Sequence, residues 1–292
     1  RNPSEEGSNY LISLLDDAQA AIQQSRWQAA RVPLEKLFSQ APLSEAALAA
    51  QLLQTELDRW LNGLEPMQLQ TKWLELSADK RFEPWHNLLA ARLALNDLQQ
   101  KQVDSALQRL GQLDPQSAFY QEALLTKAVV LIHSSQAEQA IDILYLLEPS
   151  QASLQALQNF YLGEAYYADG EFAQAILSYE KVLALVPGDW HEAAAFGRAM
   201  AFCQFKPPAQ ARTVLTQFRS DFPQSAYHDI AVYHQALAEE QLGDPQAALN
   251  LIKLLKSGQL AQSAEYGSIR NLFNAKQLAD CAGIRTPVTP HG

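Results

Sequence analysis

The sequence predicts an all-α protein built from repeated pairs of helices, and three observations support this fold class. Ala, Leu and Gln are prominent while β-branched residues are sparse, which favours helices over strands. The 12 glycines and 14 prolines lie mostly between stretches of helical apolar periodicity, where helices are expected to end. The chain has 292 residues, which is longer than a domain with one compact hydrophobic core usually is. An array of repeats is one architecture that allows this length.

One repeat is clearest between Phe160 and Pro187, where the sequence is FYLGEAYYADGEFAQAILSYEKVLALVP. This stretch predicts two amphipathic helices joined by a short turn at residues 168–170. Gly170 suits the left-handed conformation that ends a helix. Pro187 is expected to stop the second helix.

A small residue recurs early in each predicted second helix, at Ala30, Ala106, Ala140, Ala175, Ala211 and Ala248. The intervals are 76, 34, 35, 36 and 37 residues. Because the first interval is twice 38, we expect one divergent repeat in the gap, with its helix pair broken at Asn62-Gly63. The array therefore has about seven repeats.

Prolines refine the helix boundaries. Pro115 and Pro149 come early in their repeats, so the second helices before them should be about one turn short. Pro245 is expected at the start of the last second helix, since proline is favoured at the first helical position.

These features resemble the tetratricopeptide repeat (TPR) family, whose pattern is Leu-Gly, then Tyr, Gly, Ala, an aromatic residue and Pro at fixed offsets. The matching residues are Leu162, Gly163, Tyr166, Gly170, Ala175, Tyr179 and Pro187. Asn159 departs from the pattern, because the family often carries Trp there. The resemblance implies a right-handed α-solenoid of about seven TPR-like helix-turn-helix repeats with a C-terminal capping helix.

The predicted domain organisation follows from how well each part of the chain fits this register. Agreement with the family pattern is typical over residues 156–258 and divergent over 44–150. The predicted segments are a flexible N-terminus at 1–10, the repeat array at 11–258, a capping helix at 259–282 and a disordered tail at 283–292.

Charge and hydropathy argue against two classes of partner. A net charge of -10 repels a phosphate backbone, so we expect no nucleic acid. No stretch approaches the roughly 18–20 uncharged apolar residues that span a bilayer, so we expect no direct membrane insertion by this segment. The chain begins at Arg1 rather than Met, and we expect that a preceding segment was removed.

Signatures of catalysis and of metal binding are missing from the sequence. It contains no GxGxxG, GxxxxGK[ST], GxSxG, HExxH or CxxC motif. His228 and His234 lie six residues apart, which places them on different faces of a helix. Adjacent carboxylates such as Glu239-Glu240 point about 100° apart on a helix and form no acid–base dyad. We therefore predict no enzyme and no cofactor, although an active site assembled from distant residues stays open as a third class.

The resemblance also implies a place for a partner, because first helices line the inner wall of a TPR array. Carried over by register, the candidate partner-binding residues are Leu157, Phe160, Glu164, Tyr167, Phe196, Met200, Tyr233, Leu237 and Glu240. This wall is apolar and aromatic with a few acidic groups, which suits a protein or peptide partner. It has no cationic clamp for a C-terminal carboxylate. An aromatic stripe at helical spacing also fits packing between repeats, so both interpretations remain open for each residue.

A second candidate surface comes from four tryptophans in the divergent region, Trp27, Trp60, Trp73 and Trp85. They could form an exposed patch for a partner domain. We favour the alternative that they add bulk to the core.

The predicted function is a non-catalytic scaffold or adaptor that binds a protein or peptide in the concave groove. The junction from Asp221 to Tyr227 is similar to junctions in TPR proteins of the bacterial envelope. It favours an exported bacterial protein, periplasmic or associated with the outer membrane, that acts in envelope biogenesis. The alternative is a regulatory or helper domain of a larger, membrane-anchored protein.

Overall fold

The computed structural model describes residues 3–149, 152–185, 188 and 190–255. Within this part of the chain there are fourteen α-helices and no strand, so the prediction of an all-α fold is confirmed. A short 3₁₀ turn, Lys80–Trp85, precedes α5. The predicted capping helix at 259–282, the tail at 283–292 and Pro187 lie outside the described residues.

The helices follow one another in pairs. The first helices of the pairs are α1 (Pro3–Gln23), α3 (Glu45–Asn62), α5 (His86–Gln99), α7 (Tyr120–His133), α9 (Ala152–Ala168), α11 (His191–Phe205) and α13 (His228–Gln241). The second helices are α2 (Trp27–Gln40), α4 (Pro66–Ala78), α6 (Val103–Arg109), α8 (Ala137–Tyr145), α10 (Phe172–Leu183), α12 (Pro208–Asp221) and α14 (Pro245–Ile252).

The chain divides into two compact units, with the boundary between Thr126 and Lys127. The core of the first unit is built largely from leucine, alanine and aromatic side chains. Trp73 and Trp85 are buried in this core and the half-buried Trp27 packs against it, which confirms the core interpretation for these three residues. The side chain of Trp60 lies outside the described part.

The small residues predicted to set the repeat register are buried in each of the six second helices that carry one. We call them the register alanines, Ala30, Ala106, Ala140, Ala175, Ala211 and Ala248. In α4 no alanine lies at the position that the register requires, and the buried residues are Leu69 and Trp73. Leu69 precedes Trp73 by four residues, as Ala30 precedes the buried Leu34 in α2. A leucine therefore takes the small-residue position in α4, which explains why this repeat is divergent in sequence.

A residue in the left-handed backbone conformation lies between the two helices of nearly every pair. Positive φ angles occur at Ser25, Gly63, Lys101, Ser135, Gly170 and Gly243. The pair α11–α12 is the exception, because Lys206 has φ -105° and is followed by Pro207. The predicted turns at Gly63 and Gly170 are thus confirmed.

Helix lengths agree with the proline positions. The helices before Pro115 and Pro149, α6 and α8, have 7 and 9 residues, whereas α10 and α12 have 12 and 14. At the N-terminus, α1 begins at Pro3, and the flexibility of residues 1–10 stays a prediction.

Candidate functional site

The residues predicted to face the groove lie on α9, α11 and α13, in the second unit. On α9, Leu157, Phe160 and Glu164 are buried. Phe160 is 0 % exposed and lies within an aromatic cluster, with ring centroids 5.2 Å from Tyr161, 6.1 Å from Tyr179 and 5.0 Å from Trp190. Phe160 therefore contributes to packing between helix pairs.

Glu164 is a buried carboxylate with a defined partner. The phenolic oxygen of Tyr179, on α10, donates a hydrogen bond to Oε1 of Glu164 at 2.6 Å. Burying a carboxylate is costly unless it is hydrogen-bonded, and this bond offsets part of that cost. The bond also ties the second helix of this pair to the first.

On α11, Phe196 and Met200 are buried as well. The ring of Phe196 stacks on Tyr227 with centroids 4.4 Å apart and planes 11° apart, and it lies 5.6 Å from Phe218. Tyr227 immediately precedes α13, so Phe196 packs against the next helix pair as Phe160 packs against Trp190.

On α13 the equivalent residues keep more exposure. Tyr233 and Leu237 are half-buried and Glu240 is exposed. Tyr167, near the end of α9, is also half-buried and makes an edge-to-face contact with Phe172 at 5.4 Å. The nine candidates thus separate into five buried residues and four that retain accessible surface.

Cys203 and Ile230 also occupy inner-wall positions of the register and are half-buried. Both pack against the cluster around Phe196. The register from the sequence places both residues on the inner wall. Periodicity assigns a residue to a helix face, but it does not tell how far the neighbouring pair covers that face.

The titratable groups of the second unit include one thiol and one imidazole whose pKa values are shifted by burial. In the described ranges, no three His, Cys, Asp or Glu side chains are grouped so that they could hold a metal ion. Burial raises the pKa of the Cys203 thiol to about 11 and lowers the pKa of His234 below its usual value. Both groups are therefore held in their neutral forms near pH 7.

Two family models describing the tetratricopeptide repeat match the chain, at residues 156–189 and 193–225. The chain thus contains tetratricopeptide repeats. The matched ranges contain α10, α12 and most of α9 and α11, so the buried residues Phe160, Tyr179 and Phe196 belong to recognised repeats. No curated protein sequence matches it.

Solved structures show the same fold. A tetratricopeptide repeat protein from Parabacteroides merdae has a TM-score of 0.52 and 11% identity, covering 93% of this chain and 99% of that chain. Pseudomonas aeruginosa PilF has a TM-score of 0.54 and 16% identity, covering 76% of this chain and 96% of that chain. These likenesses establish an α-solenoid fold for the TPR protein, while the number of repeats stays a prediction.

The family indicates the general role of the chain. TPR repeats generally form folds for protein interaction rather than catalysis, and those of this chain support a protein-interaction scaffold in general terms. None of the helices in the described ranges combines the length and hydropathy needed to cross a bilayer.

Proposed function

We propose that this TPR protein binds a peptide or protein segment on the face formed by Tyr167, Tyr233, Leu237 and Glu240, which we call the groove face. The observation that supports it most is the change in burial between equivalent positions. Phe160 and Phe196 are enclosed by aromatic neighbours, whereas Tyr233 at the same register position is half-buried. A partner can contact only the positions that the fold leaves accessible.

The composition of the groove face indicates the class of partner. Tyrosine and leucine side chains give large apolar contact area at modest entropic cost. Glu240 adds a negative charge, and the face includes no cation. We therefore propose an apolar partner segment that carries a basic residue, rather than one that ends in a bound carboxylate.

The test selects short peptides that bind the protein from a display library and then measures their affinity for variants. Leu237→Ala and Glu240→Lys should each weaken binding of the selected peptides about tenfold, which corresponds to about 1.4 kcal/mol and is the loss expected when a residue central to an interface is changed. Neither change should lower Tm by more than about 2 °C, because both side chains have accessible surface.

Two controls separate binding from folding. Phe160→Ala removes a fully buried ring and should lower the unfolding free energy by about 3–5 kcal/mol. Tm should fall strongly as a result. Leu177→Ala removes a side chain that is exposed on α10, outside the groove face, and should leave affinity unchanged. Unchanged affinity in both Leu237→Ala and Glu240→Lys would refute the proposal.

The cellular setting is a separate part of the proposal. A role in bacterial envelope biogenesis rests on the junction from Asp221 to Tyr227, and the alternative is a helper domain of a larger, membrane-anchored protein. The gene sequence upstream of Arg1 discriminates between them. A signal peptide or lipid-attachment cysteine favours the first, and a further domain favours the second.

A further inference from the structure

One position at the end of each first helix changes character along the array. It lies six residues before the register alanine of its pair. In the earlier pairs that carry a register alanine this residue is polar, at Gln24, Gln100, Ser134 and Asp169. In the last two pairs it is a large apolar residue, because Phe205 is 49% exposed and Leu242 is 40% exposed. These two pairs therefore present apolar surface to solvent where the earlier pairs present polar groups.

The two apolar side chains belong to neighbouring helix ends of the second unit. Phe205 is the last residue of α11, and Leu242 directly follows the last residue of α13. These two helices contact each other, and packed helices have axes about 8–10 Å apart. A single exposed apolar side chain needs no explanation, but two at the same position of adjacent pairs indicate a contact surface. We call Phe205 and Leu242 the turn edge.

Charged groups surround the turn edge in a fixed order. The turn of the preceding pair carries the exposed carboxylates of Asp169 and Glu171. On the turn edge itself, the ammonium of Lys206 lies over the Phe205 ring, with Nζ 4.4 Å from the ring centroid. In the turn of the last pair, Asp244 is exposed. A cation therefore lies in the middle of this edge of the second unit, with carboxylates toward both ends.

We propose that the turn edge binds an amphipathic helix of another protein, with two apolar residues seven positions apart and Lys or Arg residues beyond both. Seven residues of an α-helix rise about 10.5 Å and return to nearly the same face, which matches the separation of neighbouring helix ends. An extended segment fits less well. Three of its residues span about 10 Å, but the first and the last then point to opposite faces.

The charges fix the polarity of the partner helix along its length. Lys or Arg residues outside the apolar pair meet Asp169 and Glu171 at one end and Asp244 at the other. Lys206 disfavours a cation between the two apolar residues, because like charges would then face each other. The proposal goes beyond the groove face, with which the turn edge shares no residue.

The test selects binders from a display library of short alanine-based helices in which every position of one face is randomised. The selected helices should carry two apolar residues seven positions apart, with Lys or Arg outside them. Phe205→Ser and Leu242→Ser should each weaken their binding at least about tenfold, since each change removes an apolar contact at the centre of the interface. Leu177→Ser, at an exposed leucine on α10, is the matched control and should leave the affinity unchanged.

A groove-face variant separates the two proposals. Leu237→Ala should weaken the peptides of the groove face and leave the selected helices unaffected, so either proposal can fail alone. Thermal unfolding shows whether the turn-edge variants fold, and Leu242→Ser carries the test if Phe205→Ser does not.

Each outcome decides the proposal. A library that yields no binder overturns it, as do selected helices whose affinity survives both Phe205→Ser and Leu242→Ser. Selected helices with acidic residues in place of the basic ones also overturn it. A dimer by sedimentation that dissociates in Phe205→Ser assigns the turn edge to a second copy instead. Faster hydrogen exchange of residues 256–292 in isolated Phe205→Ser protein assigns it to the chain's own C-terminal segment, and either result contradicts the proposal.

Discussion

The ring of Tyr179 lies directly against the backbone of Gly163, so that a Cβ atom built on this glycine would come 2.5 Å from Cε1 of the tyrosine. Gly197, on the first helix of the next pair, approaches the same ring, and its Cβ would come 2.5 Å from Cζ. One tyrosine is thus enclosed by two glycines from successive first helices. The missing side chains are what allow the pairs to pack at this distance.

Gly163→Ala should therefore destabilise the protein. Tyr179 is 0 % exposed and cannot move aside without disturbing the packing, so we expect a loss of about 1–3 kcal/mol in unfolding free energy. Thermal and denaturant unfolding measure it. Gly7→Ala is the control, because nothing lies within 4 Å of a Cβ there and the residue is inside α1. It should raise stability slightly, by up to about 1 kcal/mol, and equal effects of the two changes would contradict the packing account.

A second prediction concerns the buried carboxylate of Asp97 in the first unit. Its side chain is 0% exposed and accepts hydrogen bonds from Gln70 Nε2 at 2.8 Å, Ser105 Oγ at 2.8 Å and Arg109 Nε at 2.6 Å. Asp97→Ala leaves these donors without their acceptor and should lower the unfolding free energy by about 3–5 kcal/mol.

The control for Asp97 is an exposed ion pair. Arg31 and Glu35 lie 3.6 Å apart on α2, with 54% and 68% of their side chains exposed. Glu35→Ala should change stability by less than about 0.5 kcal/mol because exposed pairs contribute little. A small loss of unfolding free energy in Asp97→Ala would mean that the hydrogen bonds to Asp97 do not stabilise the packing of α4, α5 and α6.

A third prediction follows from the turns between paired helices. Lys101 adopts φ +62°, a conformation that costs an L-residue with a side chain roughly 1–2 kcal/mol. Lys101→Gly should therefore raise the unfolding free energy by about 0.5–1 kcal/mol, after the larger chain entropy of unfolded glycine is subtracted. Lys206→Gly, at the one turn with extended backbone, should lower it instead. A loss of stability in Lys101→Gly would contradict this interpretation of the turn.

The sequence predicted the helix pairs well because their register depends on local pattern. The register alanines and the turn glycines could be read directly. Leu69 could not, because a leucine at a small-residue position is recognised only once its neighbour Trp73 is seen in the core. The site was harder to predict. Phe160 and Tyr233 share a register position, yet only their three-dimensional neighbours decide that one is enclosed and the other accessible.

A fourth prediction concerns the reactivity of Cys203. Burial raises the pKa of its thiol to about 11, whereas an unperturbed thiol titrates near 8.5. At pH 8 the thiolate fraction should be about 200-fold smaller than that of an ordinary cysteine, and alkylation correspondingly slower. Because the pKa is raised, the rate should keep increasing with pH up to about 11. Alkylation kinetics in a Cys281→Ser background measure this, and a plateau near pH 9 in the folded protein would disprove it.

The claim that the groove face binds a peptide is tested most directly by footprinting. A peptide selected for binding is added to the unmodified protein, and hydrogen exchange is compared with and without it. We predict added protection on α13 around Leu237 and Glu240 and on the last turn of α9 around Tyr167. Protection confined to other helices, for example to the end of α8 with its exposed Tyr145 and Leu146, would contradict the proposed binding face.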